Sequence, residues 1–185
     1  TAGLVAWLLA RSIASPLRRL ARVAAELPED LDLRADEGHG PAEVRAALAA
    51  GAPASHLVHS NPVARRDHLR EAHDLGVRLF VLDSPGEVAK LADAAPGASV
   101  LVRIVTSGSG SDWPLSRKYG CSVEDAVALL RDAARLGLDP AGVSFHVGSQ
   151  QRDPQAWGPP IRSAARVFEA VRAHGIRPWL LDLGG

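Results

Sequence analysis

HVGSQ, from His146 to Gln150, and LDLGG, from Leu181 to Gly185, decide how this chain is read. Each follows a β-branched or leucine-rich run and ends in small residues. That is the pattern of a buried parallel strand delivering groups to the mouth of a barrel. The flat imidazole of His146, the hydroxyl of Ser149 and the glycine pair Gly184 and Gly185 then sit at two strand ends. Such a set suits a planar phosphorylated cofactor, with ring stacking from the first and phosphate hydrogen bonds from the others.

Working outward, short apolar runs at 56–59, 78–82, 100–105, 143–147 and 179–183 alternate with helical patterns near 64–75, 85–94, 123–136 and 157–174. Strand, helix and strand in repetition force parallel pairing, because each helix carries the chain back across the sheet. The expected fold is α/β: a partial (β/α)8 barrel of about five parallel strands preceded by an α-helical N-terminal segment. A complete barrel takes about 250 residues, so a chain of this length forms an arc of one. A doubly wound sheet stays open as an alternative, although no GxGxxG follows a strand.

Residues 1–50 read differently from 51–185. AGLVAWLLA, from Ala2 to Ala10, is apolar but too short to cross a bilayer alone, and Arg11, Arg18, Arg19 and Arg22 follow it. The order fits the end of a membrane helix with cytoplasmic positive charge, and so a possible membrane tether. After Pro16, apolar residues Leu17, Leu20, Val23, Ala24 and Leu27 recur at helical spacing, and Gly40, Pro41 and Glu43 open a second helical stretch toward Ala50. Through PLRRLARVAAEL, DLDLR and GPAEVR, residues 10–47 resemble the HAMP linker of sensor histidine kinases. An ordinary surface helix is the other reading.

Composition narrows the function classes. Of 185 residues, 46% are hydrophobic, enough for a real core. With 21 basic and 21 acidic side chains there is no net field to attract nucleic acid, which is not an expected partner. The single cysteine, Cys121, allows no internal disulfide and reads as structural, consistent with a reducing, cytoplasmic setting. No metal ligands are expected.

Six strings in order carry a more specific resemblance: HSNPV (59–63), GVRLFVLDSPGEVAKLA (76–92), LVRI (101–104), WPLSRKYGCS (113–122), GVSFHVGSQ (142–150) and LDLGG (181–185). From about Leu48 onward the chain resembles the N-terminal barrel domain of fold type III pyridoxal-phosphate decarboxylases, the ornithine, lysine and diaminopimelate decarboxylase family. The resemblance implies pyridoxal 5'-phosphate as cofactor, an amino-acid substrate and a homodimer for the intact enzyme. His146 would stack on the pyridoxal ring, Ser149 would bind the phosphate, and Gly184 and Gly185 would begin a glycine loop around it. Arg103 would lie near the cofactor and, with His146, serve catalysis.

Each residue also has a plainer reading. His146 could be a buried histidine satisfied by a backbone carbonyl, Arg103 a strand-end ion pair, and Gly184 with Gly185 a simple turn. Asp182 could orient site groups or bond a neighbouring strand. Asn61 with Pro62 could initiate a turn, and Lys118 could be a surface or dimer-contact charge.

One departure from the family bears on the chemistry. Its members hold the cofactor as a Schiff base on a strand lysine in a string close to Tyr-Ala-Val-Lys, and only Lys90 and Lys118 occur here. Lys90 is expected on the solvated face of a helix, and the lysine that follows NPV in the family is Ala64. Strands after LDLGG and the family's C-terminal β-domain are not in the sequence either. The expected function is therefore part of an ornithine or lysine decarboxylase, of the kind used in polyamine biosynthesis, not competent by itself. A membrane-tethered signalling protein is the alternative.

Overall fold

The computed structural model describes residues 42–113 and 118–184, with only the backbone of Trp113. The membrane-helix reading and nearly all of the HAMP-like reading fall outside these residues, as do Pro114–Arg117 and Gly185. Among the described residues no helix is long and apolar enough to cross a membrane.

Helix α1 (Ala42–Ala49) realises the expected second helical stretch. It lies in the same compact unit as the strands, packs Val44 against their core, and donates from Arg45 Nε to Glu71 at 2.7 Å. After it come β1 (Val58–His59), α2 (Arg66–Asp74), β2 (Leu79–Leu82), α3 (Pro85–Ala94) and β3 (Ser99–Arg103). The remainder is β4 (Ser111–Trp113), α4 (Val123–Arg135), β5 (Asp139–Ser144), β6 (Ser149–Gln151), α5 (Gly158–Arg172) and β7 (Leu180–Asp182).

Local chemistry explains where the helices begin and which face they bury. Pro85 occupies the first turn of α3, where a missing N–H costs nothing. Ser122 caps α4 by accepting from Asp125 N–H at 3.0 Å. Below that cap, Ala126, Leu129, Leu130 and Ala133 fall at helical spacing and are all buried.

β1, β2, β3, β5 and β7 pair in that order, all parallel. The order never reverses, which excludes the doubly wound alternative, whose strand order must turn back at a switch point. Both faces of the arc are covered. Phe80, Leu82, Val100, Val102 and Val143 pack outward under the helices, while Val81, Leu101 and Ala141 form a second cluster with Leu79 and Leu180 on the other face. A parallel sheet with two apolar faces and monotonic winding is part of a (β/α)8 barrel.

Two features depart from the sequence expectation. β5 begins at Asp139, four residues before the expected start at Val143, so Pro140 sits inside a central strand. The ladder tolerates it because the register against β3 shifts between Val100 and Leu101, leaving Ala141 as an extra residue. The antiparallel ribbon of β4 and β6 was not expected; it pairs Ser111 with Gln151 and Trp113 with Ser149. Its strands are three residues each, too short for a periodicity to show.

Candidate functional site

Strand register stacks the inner face into layers. Val81, Leu101, Gly142 and Leu180 lie side by side, and two residues further along each strand come Asp83, Arg103, Ser144 and Asp182. Alternation points this second set the same way, at the C-terminal rim. An apolar floor thus carries a polar layer of one cation, two carboxylates and a hydroxyl. Its construction depends on Gly142, where a Cβ would lie 1.8 Å from the Leu180 carbonyl oxygen. No other residue permits β5 and β7 to approach so closely.

Arg103 is half-buried in this layer. Burial pushes its guanidinium below the ordinary arginine range, while the charges of Asp83, Tyr119 and Asp182 act against that shift. It forms no ion pair among the described residues, so the strand-end ion pair is not what holds it. Instead it lies over the Tyr119 ring, 5.3 Å from the centroid. Tyr119 is held in place by its neighbours: Gly120 N–H donates to Asp83 Oδ2 at 2.9 Å, and Cys121 N–H donates to the Arg103 carbonyl at 3.0 Å. Asp83 and Tyr119 were not singled out from sequence. The available signal was the polar residue closing the apolar run LFVL, the same position that Arg103 takes after SVLV.

His146 follows β5 by two residues, half-buried, and its ring accepts from Gly148 N–H at Nδ1, at 2.9 Å. A neutral ring with its lone pair on Nδ1 carries its proton on Nε2. The plainer reading had the ring donating to a backbone carbonyl; here it accepts from a backbone amide. The His146 carbonyl in turn accepts from Thr106 Oγ1 at 2.7 Å, tying the loop to the end of β3. Ser149, half-buried at the start of β6, makes no side-chain hydrogen bond among the described residues. Gln150 beside it, in the middle of β6, is the one non-glycine described residue at positive φ, 55°, which kinks the strand between its two paired residues.

Gly184 meets His146 directly. At φ +68° a Cβ there would lie 2.6 Å from the Phe145 carbonyl oxygen and 3.3 Å from His146 Cβ. Its N–H donates to Asp182 Oδ1 at 3.0 Å, and Ser144 Oγ donates to Asp182 Oδ2 at 2.9 Å. Asp182 therefore bonds both a neighbouring strand and the glycine turn. Gly184 offers close backbone approach rather than a free amide, and Gly185 lies outside the described residues. Imidazole and glycine turn thus meet at one rim, and Ser149 lies three residues beyond the imidazole, in the β4–β6 ribbon.

Of the two lysines, Lys90 is elsewhere and Lys118 is at the exposed side of the Tyr119 ring. Lys90 is not on a solvated face: its Nζ donates to the Ala64 carbonyl at 2.7 Å and pairs with the buried Glu87 at 2.5 Å, on the outer, helical side. Lys118 Nζ lies 5.2 Å from the Tyr119 ring centroid and is exposed. Asn61 Oδ1 accepts from Val63 N–H at 3.3 Å, as a turn initiator does. Burial pushes the Cys121 thiol up to about 12, consistent with a structural role.

A model of the family described as "Pyridoxal-dependent decarboxylase, pyridoxal binding domain" matches residues 19–185. The chain belongs to this family. It is 38% identical over 135 residues to a lysine/ornithine decarboxylase of Selenomonas ruminantium, covering 73% of this chain and 34% of that protein. It is 34% identical over 170 residues to an ornithine decarboxylase of Neurospora crassa, covering 92% of this chain and 34% of that protein. The chain thus spans about a third of the length of these relatives.

Among solved structures of the family, a crystal structure of arginine decarboxylase from Paramecium bursaria Chlorella virus bound to agmatine superposes with TM-score 0.74 at 29% identity. It covers 77% of this chain and 39% of that one. An SrLDC mutant in complex with PLP gives TM-score 0.74 at 37% identity, over 77% of this chain and 37% of that one. The pyridoxal binding domain of the family is a barrel, and the arc described above is part of it.

Proposed function

We propose that this chain is the cofactor-holding barrel portion of a pyridoxal-phosphate-dependent amino-acid decarboxylase, acting on ornithine or lysine. The observation that carries the reading is the meeting of His146 and Gly184 across the β5–β7 rim, beside the polar layer of Arg103, Ser144 and Asp182 and above an apolar floor of Val81, Leu101 and Leu180. A flat ring and an anion are what such a rim fits: one exposed imidazole face, an uncommitted Ser149 hydroxyl, and a turn where no Cβ intrudes. The names of the relatives support the substrate class. A homodimer and a cytoplasmic location belong to the same reading.

When bound, pyridoxal phosphate supplies an electron sink for the pair left behind as an α-carboxylate departs. The chain's own residues do the remaining work. His146 stacks against the ring, and the Gly148 amide at Nδ1 fixes the imidazole's tilt and tautomer. Ser149 and the turn at Gly184 take the phosphate. Arg103 stands charged at the rim with Asp83 and Asp182 in its field. Val81, Leu101 and Leu180 beneath exclude water, strengthening each of these interactions.

Neither lysine of the chain is placed to bond the cofactor covalently, so the chain as given holds it non-covalently. Titrating the purified chain with pyridoxal phosphate, followed by borohydride reduction and peptide mass mapping, tests this. Saturable binding without a stoichiometric adduct is expected. A stoichiometric adduct on Lys90 or Lys118 would overturn the non-covalent reading, and absence of binding would overturn the cofactor reading.

A further inference from the structure

We propose that Asp182 is a positioning residue, whose two carboxylate oxygens set the spacing between the ring-holding and phosphate-holding halves of the site. The proposal rests on the cofactor reading above and extends it to a residue that touches neither half of the ligand. His146 and Gly184 follow different strands, and beyond the β5–β7 ladder the backbone adds one bond towards them, from Phe145 N–H to the Asp182 carbonyl at 3.1 Å. The side chain of Asp182 adds two more. Oδ2 takes the buried Ser144 hydroxyl at 2.9 Å, fixing the residue to β5 two positions before His146. Oδ1 takes the Gly184 amide at 3.0 Å, folding the chain back into the turn that begins there.

One side chain therefore ties β5 and the glycine turn to each other. Without it, the turn is tied to β5 only through the strand pairing that ends at Asp182, and the contact of Gly184 with the Phe145 carbonyl and the His146 backbone limits approach but not departure. The carboxylate also faces Arg103 within the same layer, so its charge is matched there without an ion pair consuming either oxygen.

Two ligands separate positioning from general structure. Pyridoxal has the ring without the phosphate, so it reports on His146 alone. Pyridoxal phosphate needs both halves at the correct spacing. In the full chain, Asp182→Ala is expected to weaken pyridoxal phosphate about tenfold, equivalent to ~1.4 kcal/mol, and pyridoxal less than twofold. Asp182→Asn keeps an acceptor for the Gly184 amide and is expected to stay within about threefold of wild type for both ligands.

Ligand-free NMR hydrogen exchange supplies the second readout: the Gly184 amide is expected to exchange faster in Asp182→Ala and to stay protected in Asp182→Asn. Should Asp182→Ala not fold, Ser144→Ala, which removes one of the two bonds, is expected to show the same selective loss in smaller measure. Equal weakening of both ligands, or an unchanged Gly184 amide, overturns the proposal. A wild-type chain that prefers neither ligand overturns the cofactor reading instead, and this inference with it.

Discussion

Gly142→Ala should detach β7 from the sheet, and the structure sets the size of the effect. The added Cβ would stand 1.8 Å from the Leu180 oxygen and 2.9 Å from its carbon, both backbone atoms that no rotamer change can clear. Reaching even 3.0 Å from that oxygen requires β5 and β7 to part by about 1.2 Å, against a normal strand spacing of ~4.8 Å. A shift of that size breaks the bonds that hold the pair at this point: Trp179 N–H to the Ala141 carbonyl at 2.8 Å, Phe145 N–H to the Asp182 carbonyl at 3.1 Å, and Ser144 to Asp182 at 2.9 Å.

At ~1 kcal/mol each, the three amount to about 3 kcal/mol. For a unit of this size that is a fall in Tm of about 6–12 °C, at ~2–4 °C per kcal/mol. Hydrogen exchange followed by mass spectrometry localises the damage: peptides over 179–184 should lose protection while those over β2 and β3 keep theirs. Pyridoxal phosphate binding should fall with it, because Asp182 and Gly184 travel on β7. A Gly142→Ala chain with wild-type Tm and protected 179–184 amides would refute the claim that backbone proximity at this pair builds the rim.

His146→Ala should weaken pyridoxal and pyridoxal phosphate together, by about tenfold, since stacking serves both ligands, whereas Ser149→Ala should weaken only the phosphorylated one; fluorescence titration separates the cases. Lys90→Ala leaves the Glu87 carboxylate, 7% exposed, without its cation and should cost about 1–3 kcal/mol in urea unfolding. Burial lowers the His59 pKa below 6.5, so its stabilising contribution is complete above pH 6.5 and declines as pH falls toward the folded value. Between pH 7.5 and 5 wild type should therefore lose more stability than His59→Phe; an equal loss would assign the acid sensitivity to other groups, such as His73, which shifts the same way.

The arc was legible in the sequence because its strands are short, apolar and separated by helices whose buried residues keep strict spacing. α3 begins and ends where its pattern does, Pro85 to Ala94. β5 was misjudged at its start because Asp139-Pro140 reads as a turn, and only the register shift against Val100 and Leu101 makes room for it. His146, Ser149 and Gly184 were visible as members of strings. Asp83 and Tyr119 were not, because their roles come from a pairing across 37 residues, Gly120 to Asp83, that no local pattern records. Lys90 misled for the opposite reason: a lysine on a helix usually faces water, and here its amine caps the Ala64 carbonyl and a buried carboxylate.

The placement of charge explains why the polar layer at the rim does not collapse onto itself. Asp83 lies beside Arg103 in the layer and Asp182 lies beyond Ser144, and each has a prior hydrogen-bonding commitment, Asp83 to Gly120 and Asp182 to Ser144 and Gly184. A carboxylate already engaged by amides and a hydroxyl has less to gain from closing on the guanidinium, so the three charges stay separate. If Asp83 were neutralised as Asp83→Asn, Gly120 would keep its acceptor but Arg103 would lose a charge that offsets its burial. The expected result is an unchanged unfolding free energy, to within about 0.5 kcal/mol, with Arg103 more mobile on the Tyr119 ring. Side-chain NMR of Arg103, with Tyr119 as the chain's single tyrosine reporter, checks this directly. An Asn variant whose Arg103 and Tyr119 signals match wild type would show that the ring alone, and not the carboxylate, holds the guanidinium.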